Sequence, residues 1–501
     1  MERTAEKGGI VNDFPTSVVD DDGNVHHLLK TPLGRGGQGV VLRTRSPHIA
    51  VKLIGALPDP AADAPKQPPG GSAVKLWNQL TSGAAIELTP NMQKREALRR
   101  RLEDVRLLPL PDLHLAQPLS MLRDHVGYTM RLLTGMVPIR SLIAEPGADS
   151  LAGFFQETGG VRRRLDVLAK TASLLARLHA VPLVYADISP NNVFVSESND
   201  ASEVWFIDLD NLDYLSPNAP GIFTPGFGAP EVASGRAGVT TLSDSFSFSI
   251  LASYVLAQTH PFLGDFVEEG GWDDDEDREQ LAFHGQVPWI EDPDDASNRS
   301  ARGIPRELVL SKPLRELFQR TFGPGRIHRD LRPGMAEWAD VLRRAADRVV
   351  SCSGCGSTFD VTAGTCHFCT GNLRPAFIHM QVNRWDPEID DAGGSAVSSR
   401  PVWHKMLDVV QGSVIHRHVV EPTLADAEDQ PVLRVRAVPR GIAVEPLSSY
   451  EIHVALAGKL QRLERETRLP LPAPGSEAYL HFGPMDRPHR MAALRYYAGG
   501  A

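Results

Sequence analysis

The sequence is short of cysteine, of lysine and of long apolar runs. Four Cys in 501 residues exclude a disulfide-rich scaffold. Only ten of the 52 basic residues are Lys, so a Lys in any given place carries information. The longest apolar-rich run, Phe246 to Ala257, contains three Ser and is too short to cross a bilayer. Met1 to Gly9 is charged and lacks the apolar core of a signal peptide. These absences make a cytoplasmic chain with no membrane association the expectation.

Net charge is also low in the positive direction. With 62 acidic against 52 basic residues the formal charge is −10, which disfavours nucleic acid as a partner because phosphate contacts need clustered cations. The deficit is local, however. Residues 265–298 hold thirteen acidic residues and one Arg, a charge of −12, which leaves +2 on the rest of the chain. This stretch reads as a solvated insert, with a docking patch for a basic substrate as the sharper alternative. The argument against nucleic acid weakens accordingly.

What remains is ordinary for a globular protein: 42% hydrophobic and 23% charged residues, on a chain long enough for two to four domains at roughly 100–200 residues each. Residues 1–30 read as a polar lead-in with weak strand character. Short β-like runs flank a glycine cluster between Thr31 and Ile54, and residues 55–75, with five Pro, read as a flexible insert. Helix formers dominate 91–105. Leu165, Leu168, Leu175 and Leu178 recur at helical spacing over 161–180. Val204 to Ile207 is a short apolar strand, Phe246 to Leu256 a core helix, and 334–349 a helix with Met335, Trp338 and Leu342 on one face. After Arg374 the pattern turns to period two, as in Leu433/Val435/Ala437 and Tyr450/Ile452/Val454/Leu456, which predicts half-buried strands.

Four motifs carry chemistry. Gly34-Arg35-Gly36-Gly37-Gln38-Gly39-Val40-Val41 fits G-x-G-x-x-G-x-V, in which missing Cβ atoms let backbone approach phosphates. A plain glycine-rich hairpin would fit the pattern as well. Ala50-Val51-Lys52 then places a scarce Lys eleven residues after Val41, a cation suited to paired phosphate oxygens. Asp187-Ile188-Ser189-Pro190-Asn191-Asn192 has the D-x-x-x-x-N spacing of a phosphoryl-transfer loop, Asp to orient and deprotonate a hydroxyl and Asn to offer a neutral oxygen to a metal. Sixteen residues on, Phe206-Ile207-Asp208 ends a strand with a carboxylate suited to Mg²⁺. Thr224 to Glu231 (Thr-Pro-Gly-Phe-Gly-Ala-Pro-Glu) and Ser243-Asp244 follow.

In this order the motifs resemble those of the bacterial eukaryotic-like Ser/Thr protein kinases, over residues 31–349. The resemblance implies an α+β, bilobal protein-kinase-like fold. An N-lobe would span 31–134 with a flexible insert at 55–90, and a C-lobe 135–349 with the acidic insert at 265–298. It implies ATP and Mg²⁺ as cofactors and a protein substrate, possible docking chemistry making that substrate basic. Gly34, Gly36, Gly39 and Val41 would cover the nucleotide. Lys52 would contact its phosphates and pair with a helix glutamate, Glu96 being the choice over Glu103 and Glu87. Asp187 would be the catalytic base, and Asn192 and Asp208 the Mg²⁺ ligands. Glu231 would pair with Arg332, and Asp244 would brace the catalytic loop. Thr224 stands where Ser/Thr-specific members carry a threonine.

His328-Arg329-Asp330 imitates the family's catalytic loop more closely than residues 185–187 do. It is rejected because Met335 stands where a metal-binding Asn is needed and because it follows the Ala-Pro-Glu segment. The departures are real: Tyr185-Ala186 replaces His-Arg, so a phosphorylated loop would lack its docking cation; Ser189 replaces a Lys that would neutralise the transferring phosphate; and Leu209-Asp210 replaces Phe-Gly. They motivate an alternative, an ATP-binding pseudokinase scaffold. A small-molecule kinase is a third reading, against which the Thr224–Glu231 segment speaks.

Cys352-x-x-Cys355 and Cys366-x-x-Cys369 form two C-x₂-C pairs, the spacing of a structural Zn²⁺ site with no open position. His367 reads as a bystander. The module resembles a zinc ribbon at 350–373, for which a protein partner is favoured, and a mostly β domain at 374–501 would follow it as a second interaction surface. In that domain Ser413-x-x-His416 resembles a phosphopeptide-binding motif only faintly, and the His416/His418 pair fits surface residues better than a metal site.

Overall fold

A computed structural model describes residues 14–36, 39–54, 90–110, 113–145, 150–214, 223–268, 277–369, 374–391, 397–408, 412–422, 430–439, 441–456, 459–470 and 478–499. The insert up to Thr89, Glu87 within it, and Asp273 to Glu276 of the acidic stretch lie outside these residues. The architecture is mixed α and β, and the chain divides into two compact units.

The first unit consists of Met1–Leu110, Leu115–Thr134 and Ile207–Asp210. Its sheet has six strands: β1 (Ser17–Val19), β2 (Val25–Gly36), β3 (Gly39–Thr44), β4 (Ile49–Ile54), β5 (Ser120–Met121) and β6 (Gly127–Arg131). All pairs are antiparallel, in the order β1-β2-β3-β4-β6-β5. The polar lead-in thus supplies β1 and the start of β2. Successive strand residues point to opposite faces. Val51 and Leu53 bury on one face with Val18, Leu42 and Leu122, whereas Ala50 shares the other with Met121, Tyr128, Met130 and Leu102. Leu102 comes from helix α1 (Pro90–Leu107), where Leu98, Leu102 and Val105 recur at helical spacing.

The second unit holds Pro111–His114, Gly135–Phe206 and Asn211–Ala501. Helix α2 (Leu151–Glu157) leads into α3 (Gly160–Ala180), on which Leu165, Leu168, Leu175 and Leu178 are all buried. Strands β7 (Met136–Pro138), β9 (Val193–Ser196) and β10 (Val204–Phe206) form one small sheet, and β8 (Leu183–Val184) pairs with β11 (Asp213–Tyr214) in another. Helix α4 (Thr241–Ala257) starts at a capping box between Thr240 and Ser243 and is buried along most of its length. Beyond it come α5 (Arg278–Phe283), α6 (Lys312–Phe322) and α7 (Met335–Ala346). Trp338 of α7 is fully buried edge-on against Phe248 and Phe318, with centroids 5.6 and 5.1 Å away. The acidic stretch is not solvated throughout: Val287, Trp289, Ile290 and Asn298 are buried, and Asn298 Nδ2 donates to the carbonyls of Phe262 and Pro288.

Strands β12 (Val349–Ser351) and β13 (Thr358–Asp360) form a hairpin around the first cysteine pair. Ten further strands make two antiparallel sheets. One contains β14 (Phe377–Trp385), β15 (Trp403–Asp408), β19 (Ile452–Leu456), β20 (Lys459–Arg462), β22 (Ala478–Phe482) and β23 (His489–Tyr497); the other β16 (Ser413–His416), β17 (Pro431–Val438), β18 (Gly441–Pro446) and β21 (Thr467–Pro470). Their inner faces share one core that includes Ile378, Met380, Leu433, Val444, Leu480 and Leu494. Ala437, expected to face inward, is exposed near the end of β17. Among the described residues no helix is long and apolar enough to cross a membrane.

Candidate phosphotransfer residues and a four-cysteine centre

In the first unit, Lys52 sits mid-strand in β4 between Val41 and Tyr128 on the neighbouring strands. Only 5% of it is exposed. Its ammonium binds the carboxylates of Asp208 and Asp210. Burial alone would push the Lys52 ammonium down, but Asp210 and then Asp208 hold it above its ordinary value, so it stays a cation. Asp210 is itself anchored: Tyr128 Oη donates to it at 2.7 Å, and Arg101 Nε of α1 donates to its backbone carbonyl at 2.8 Å. Asp208 adopts a left-handed backbone with φ of 59°, a conformation rare for a residue with a Cβ.

The expected partner of Lys52 is therefore corrected. Glu96 is exposed and pairs with Arg100, one turn on, at 3.2 Å. It precedes Leu98 of the buried stripe by two positions, about 200° around the helix, and so faces away from the sheet. Glu103 pairs with Arg106, and Glu87 is outside the described residues. The carboxylate that the resemblance places on the helix is supplied instead by Asp210, where the family has Gly. The sequence signal was the Asp208-x-Asp210 repeat.

The glycine cluster is the end of the β2–β3 hairpin, with Gly34 opposite Val41 and Gly36 opposite Gly39. A Cβ on Gly39 would lie 2.1 Å from the Leu53 carbonyl, so packing of β4 alone requires that glycine. Among the described residues a Cβ on Gly34 would meet nothing within 4 Å, so none of them accounts for it. Val41 is half-buried against the cluster of Ala50 and Tyr128.

In the second unit, Asp187 follows β8. Thr224 Oγ1 donates to Asp187 Oδ1 at 2.6 Å, and Asn192 Nδ2 donates to Oδ2 and to the backbone carbonyl, both at 2.9 Å. Asn192 thereby keeps its carbonyl oxygen as an acceptor, which fits a Mg²⁺ ligand. Asp244, buried at the start of α4, accepts from the backbone N–H groups of Tyr185 and Ala186 at 2.8 and 3.0 Å and faces His179 Nε2 at 3.1 Å. This brace holds Ala186 at a φ of 70°. His179 is a member that sequence reasoning missed.

Arg332 binds Glu231 through both oxygens, at 2.7 and 2.8 Å, with its guanidinium 4.8 Å from the Phe246 ring centre. Burial would raise the Glu231 carboxyl, yet Arg332 holds it below the usual carboxylate range. The rejected His328-Arg329-Asp330 segment is thus the approach to a structural arginine.

The four cysteine sulfurs lie within 4.8 Å of one another, and the Cys352–Cys369 and Cys355–Cys366 separations are both 3.7 Å. A tetrahedron with Zn–S bonds of about 2.3 Å has edges of about 3.8 Å, so the residues fit the ion. The backbone N–H groups of Gly354 and Phe368 point at Cys352 and Cys366 Sγ, both at 3.3 Å, as favours thiolate. Burial pushes the Cys366 thiol up to about 12, so four thiolates together need a cation. Among the described residues no other group of three or more such ligands occurs, and His367 is not in this one. His418 instead bonds Asp347 at 3.0 Å, and Ser413 Oγ accepts from the Asp408 backbone.

Residues 142–215, which contain Asp187, Asn192 and Asp208, match the lipopolysaccharide kinase (Kdo/WaaP) family. Over 110 residues the chain is 33% identical to serine/threonine-protein kinase pkn2 of Myxococcus xanthus, covering 20% of this chain and 13% of that protein. Over 95 residues it is 32% identical to death-associated protein kinase dapk-1 of Caenorhabditis elegans, covering 18% and 6%. Ribosomal protein S6 kinase alpha-3 of Mus musculus is 31% identical over 98 residues, covering 19% and 13%. The chain thus spans less than a sixth of each of these relatives. Together the matches support a kinase-like protein.

Proposed function

We propose that the chain is an ATP- and Mg²⁺-dependent protein kinase that phosphorylates Ser or Thr hydroxyls in intracellular signalling. The observation that carries this reading is Asp187, a carboxylate fixed by Thr224 and Asn192 on a backbone braced by Asp244. The acceptor oxygen would bond to the γ-phosphorus as the bond from that phosphorus to the ADP oxygen breaks, and the acceptor proton would pass to Asp187. Lys52 would hold phosphate oxygens, and Gly34, Gly36, Gly39 and Val41 would cover the nucleotide. Asn192 and Asp208 would hold Mg²⁺, which neutralises phosphate charge when bound. Ser189, with no cation, predicts slow chemistry. Purified chain given labelled ATP and Mg²⁺ should label itself or a protein substrate, and Asp187→Asn should reduce this by about 10²-fold or more. Equal labelling by that variant would reject the assignment.

A saccharide hydroxyl as acceptor is the second reading, favoured by the lipopolysaccharide kinase match. It uses the same Asp187 and is separated by offering sugar and protein acceptors side by side. The pseudokinase scaffold, with partners recruited through the ribbon and the C-terminal domain, predicts nucleotide-dependent thermal stabilisation without transfer.

A further inference from the structure

The chain on either side of Thr224 lines a cavity of about 330 Å³ that the catalytic roles leave unexplained. Phe223 and Pro225, the neighbours of Thr224 on either side, form part of its wall, with Phe283 of α5 opposite. Thr224 itself donates to Asp187, so the cavity starts one residue, about 3.8 Å of chain, from the group that holds the base. Two glycines shape it. Gly226 has a φ of 80° and lies against Phe283; a Cβ on Gly228 would come within 2.5 Å of the Phe223 ring. His260 holds the Gly226 backbone in place, its Nε2–H donating to the Gly226 carbonyl at 2.9 Å while Nδ1 accepts from Phe262 N–H at 3.1 Å.

The carboxylates in the lining come from one short element, with His284 also in the lining and Arg236 Nη2 donating to the His284 carbonyl at 3.5 Å. Asp277 and Glu279, from the start of α5, line the cavity. Asp277 also caps α5 by accepting from Gln280 N–H. Among the described residues no Lys or Arg forms an ion pair with either acid. Arg278 between them lays its guanidinium 4.5 Å from the Phe266 ring centre and donates to the Phe266 carbonyl. At about 300–1,000 Å³ per ligand pocket, the volume suits one or two side chains. An aromatic wall with an acidic rim matches a Lys or Arg side chain, whose methylene stem covers apolar surface while its head meets carboxylates.

Resting on the protein kinase reading, we propose that this cavity selects a substrate segment with Lys or Arg immediately beside the acceptor hydroxyl, and that Asp277 and Glu279 are its specificity-determining residues. Two rim ion pairs predict a preference of about tenfold for a basic over an apolar neighbour. The test uses the full chain and a set of Ser- and Thr-containing peptides that carry Arg, Leu or Asp on either side of the acceptor. Binding is read by fluorescence anisotropy and transfer by kcat/KM. The wild type should favour the Arg peptides about tenfold in both readouts, less at high salt. Asp277→Asn, which keeps a good helix cap, combined with Glu279→Gln should bring the Arg-to-Leu ratio towards one. Glu279→Lys should move the preference towards Asp peptides, a gain that misfolding cannot produce. Equal binding of Arg and Leu peptides by the wild type, or an unchanged ratio in the double variant, overturns the proposal even if transfer proceeds. A charge-selective affinity without any transfer sustains the cavity and overturns the kinase reading instead.

Discussion

At the scale of single residues, the buried ion pair of Lys52 is the least expected contact. Asp210 is 3% exposed and bonds both Lys52 and Tyr128. Removing one partner of a buried pair strands the other in a low dielectric, although Asp208 still faces Lys52 here. Asp210→Asn should therefore lower stability by about 2–3 kcal/mol, whereas Glu96→Gln on the exposed face should change it by less than about 0.5 kcal/mol. Urea denaturation midpoints with unchanged slopes check both, and equal midpoints for the two variants would contradict the pairing. Asp187, Asn192 and Thr224 were legible in the sequence because a loop motif is a local spacing. Asp210 was not, because its partner lies on a distant strand and its position ordinarily belongs to glycine.

At the scale of elements, the helices were legible from apolar periodicity, and their attachments were not. The four-cysteine module packs on the start of α3: Arg162 N–H donates to Thr358 Oγ1 at 3.2 Å, Arg162 Nη2 to the Val349 carbonyl at 2.6 Å, and Phe155 of α2 stacks on Phe368 at 6.4 Å. The far end of α3 carries His179, which faces Asp244. If the four cysteines hold Zn²⁺, a chelator, like Cys366→Ser, should release the hairpin β12–β13 and raise amide exchange across the first turns of α3; exchange limited to residues 350–369 would show that the module is uncoupled. The segment from Thr224 to Glu231 has its own titratable anchor. Burial lowers the His260 imidazole from 6.5 to about 4 although its bond to the Gly226 carbonyl raises it, and a second proton would break the bond from Phe262 N–H to Nδ1. The unfolded chain then binds the proton first, so stability is full above pH 6.5 and falls as pH drops towards 4, by about 3 kcal/mol for this group. Burial also lowers His379 and His481 to about 4, which steepens the same acid limb. Exchange at Gly226 and Phe262 should rise in this window, and a loss of stability confined to alkaline pH would refute the assignment.

At the scale of the whole chain, the −10 charge proved to be a property of one stretch whose described parts bury Val287, Trp289, Ile290 and Asn298 while Asp277, Glu279, Asp294 and Asp295 stay exposed. The period-two pattern after Arg374 announced strands, yet it gave no sign of how they join the helices before them. That joint is Asp347, just past α7. Its carboxylate accepts from Trp403 Nε1 at 2.7 Å and His418 Nε2 at 3.0 Å and binds the Lys405 ammonium, while its carbonyl accepts from Met406 N–H at 2.7 Å. Arg344, one turn earlier, lies 4.0 Å from the Trp403 ring centre. Burial would raise the Asp347 carboxyl, but Lys405 and then His418 pull it far below the usual range, so it is ionised wherever the chain is folded. These partners are 56 to 71 residues away in sequence, so no local pattern marks Asp347. Asp347→Ala leaves Lys405 buried without its anion and Trp403 without an acceptor, a loss of about 3–5 kcal/mol. Because the β sandwich has its own core, the loss should fall on the joint: limited proteolysis should cut between Ser351 and Phe377, and thermal unfolding should split into two transitions. A single transition, lowered as a whole, would mean that the sandwich and the helices share one cooperative core and that Asp347 is only one contact within it.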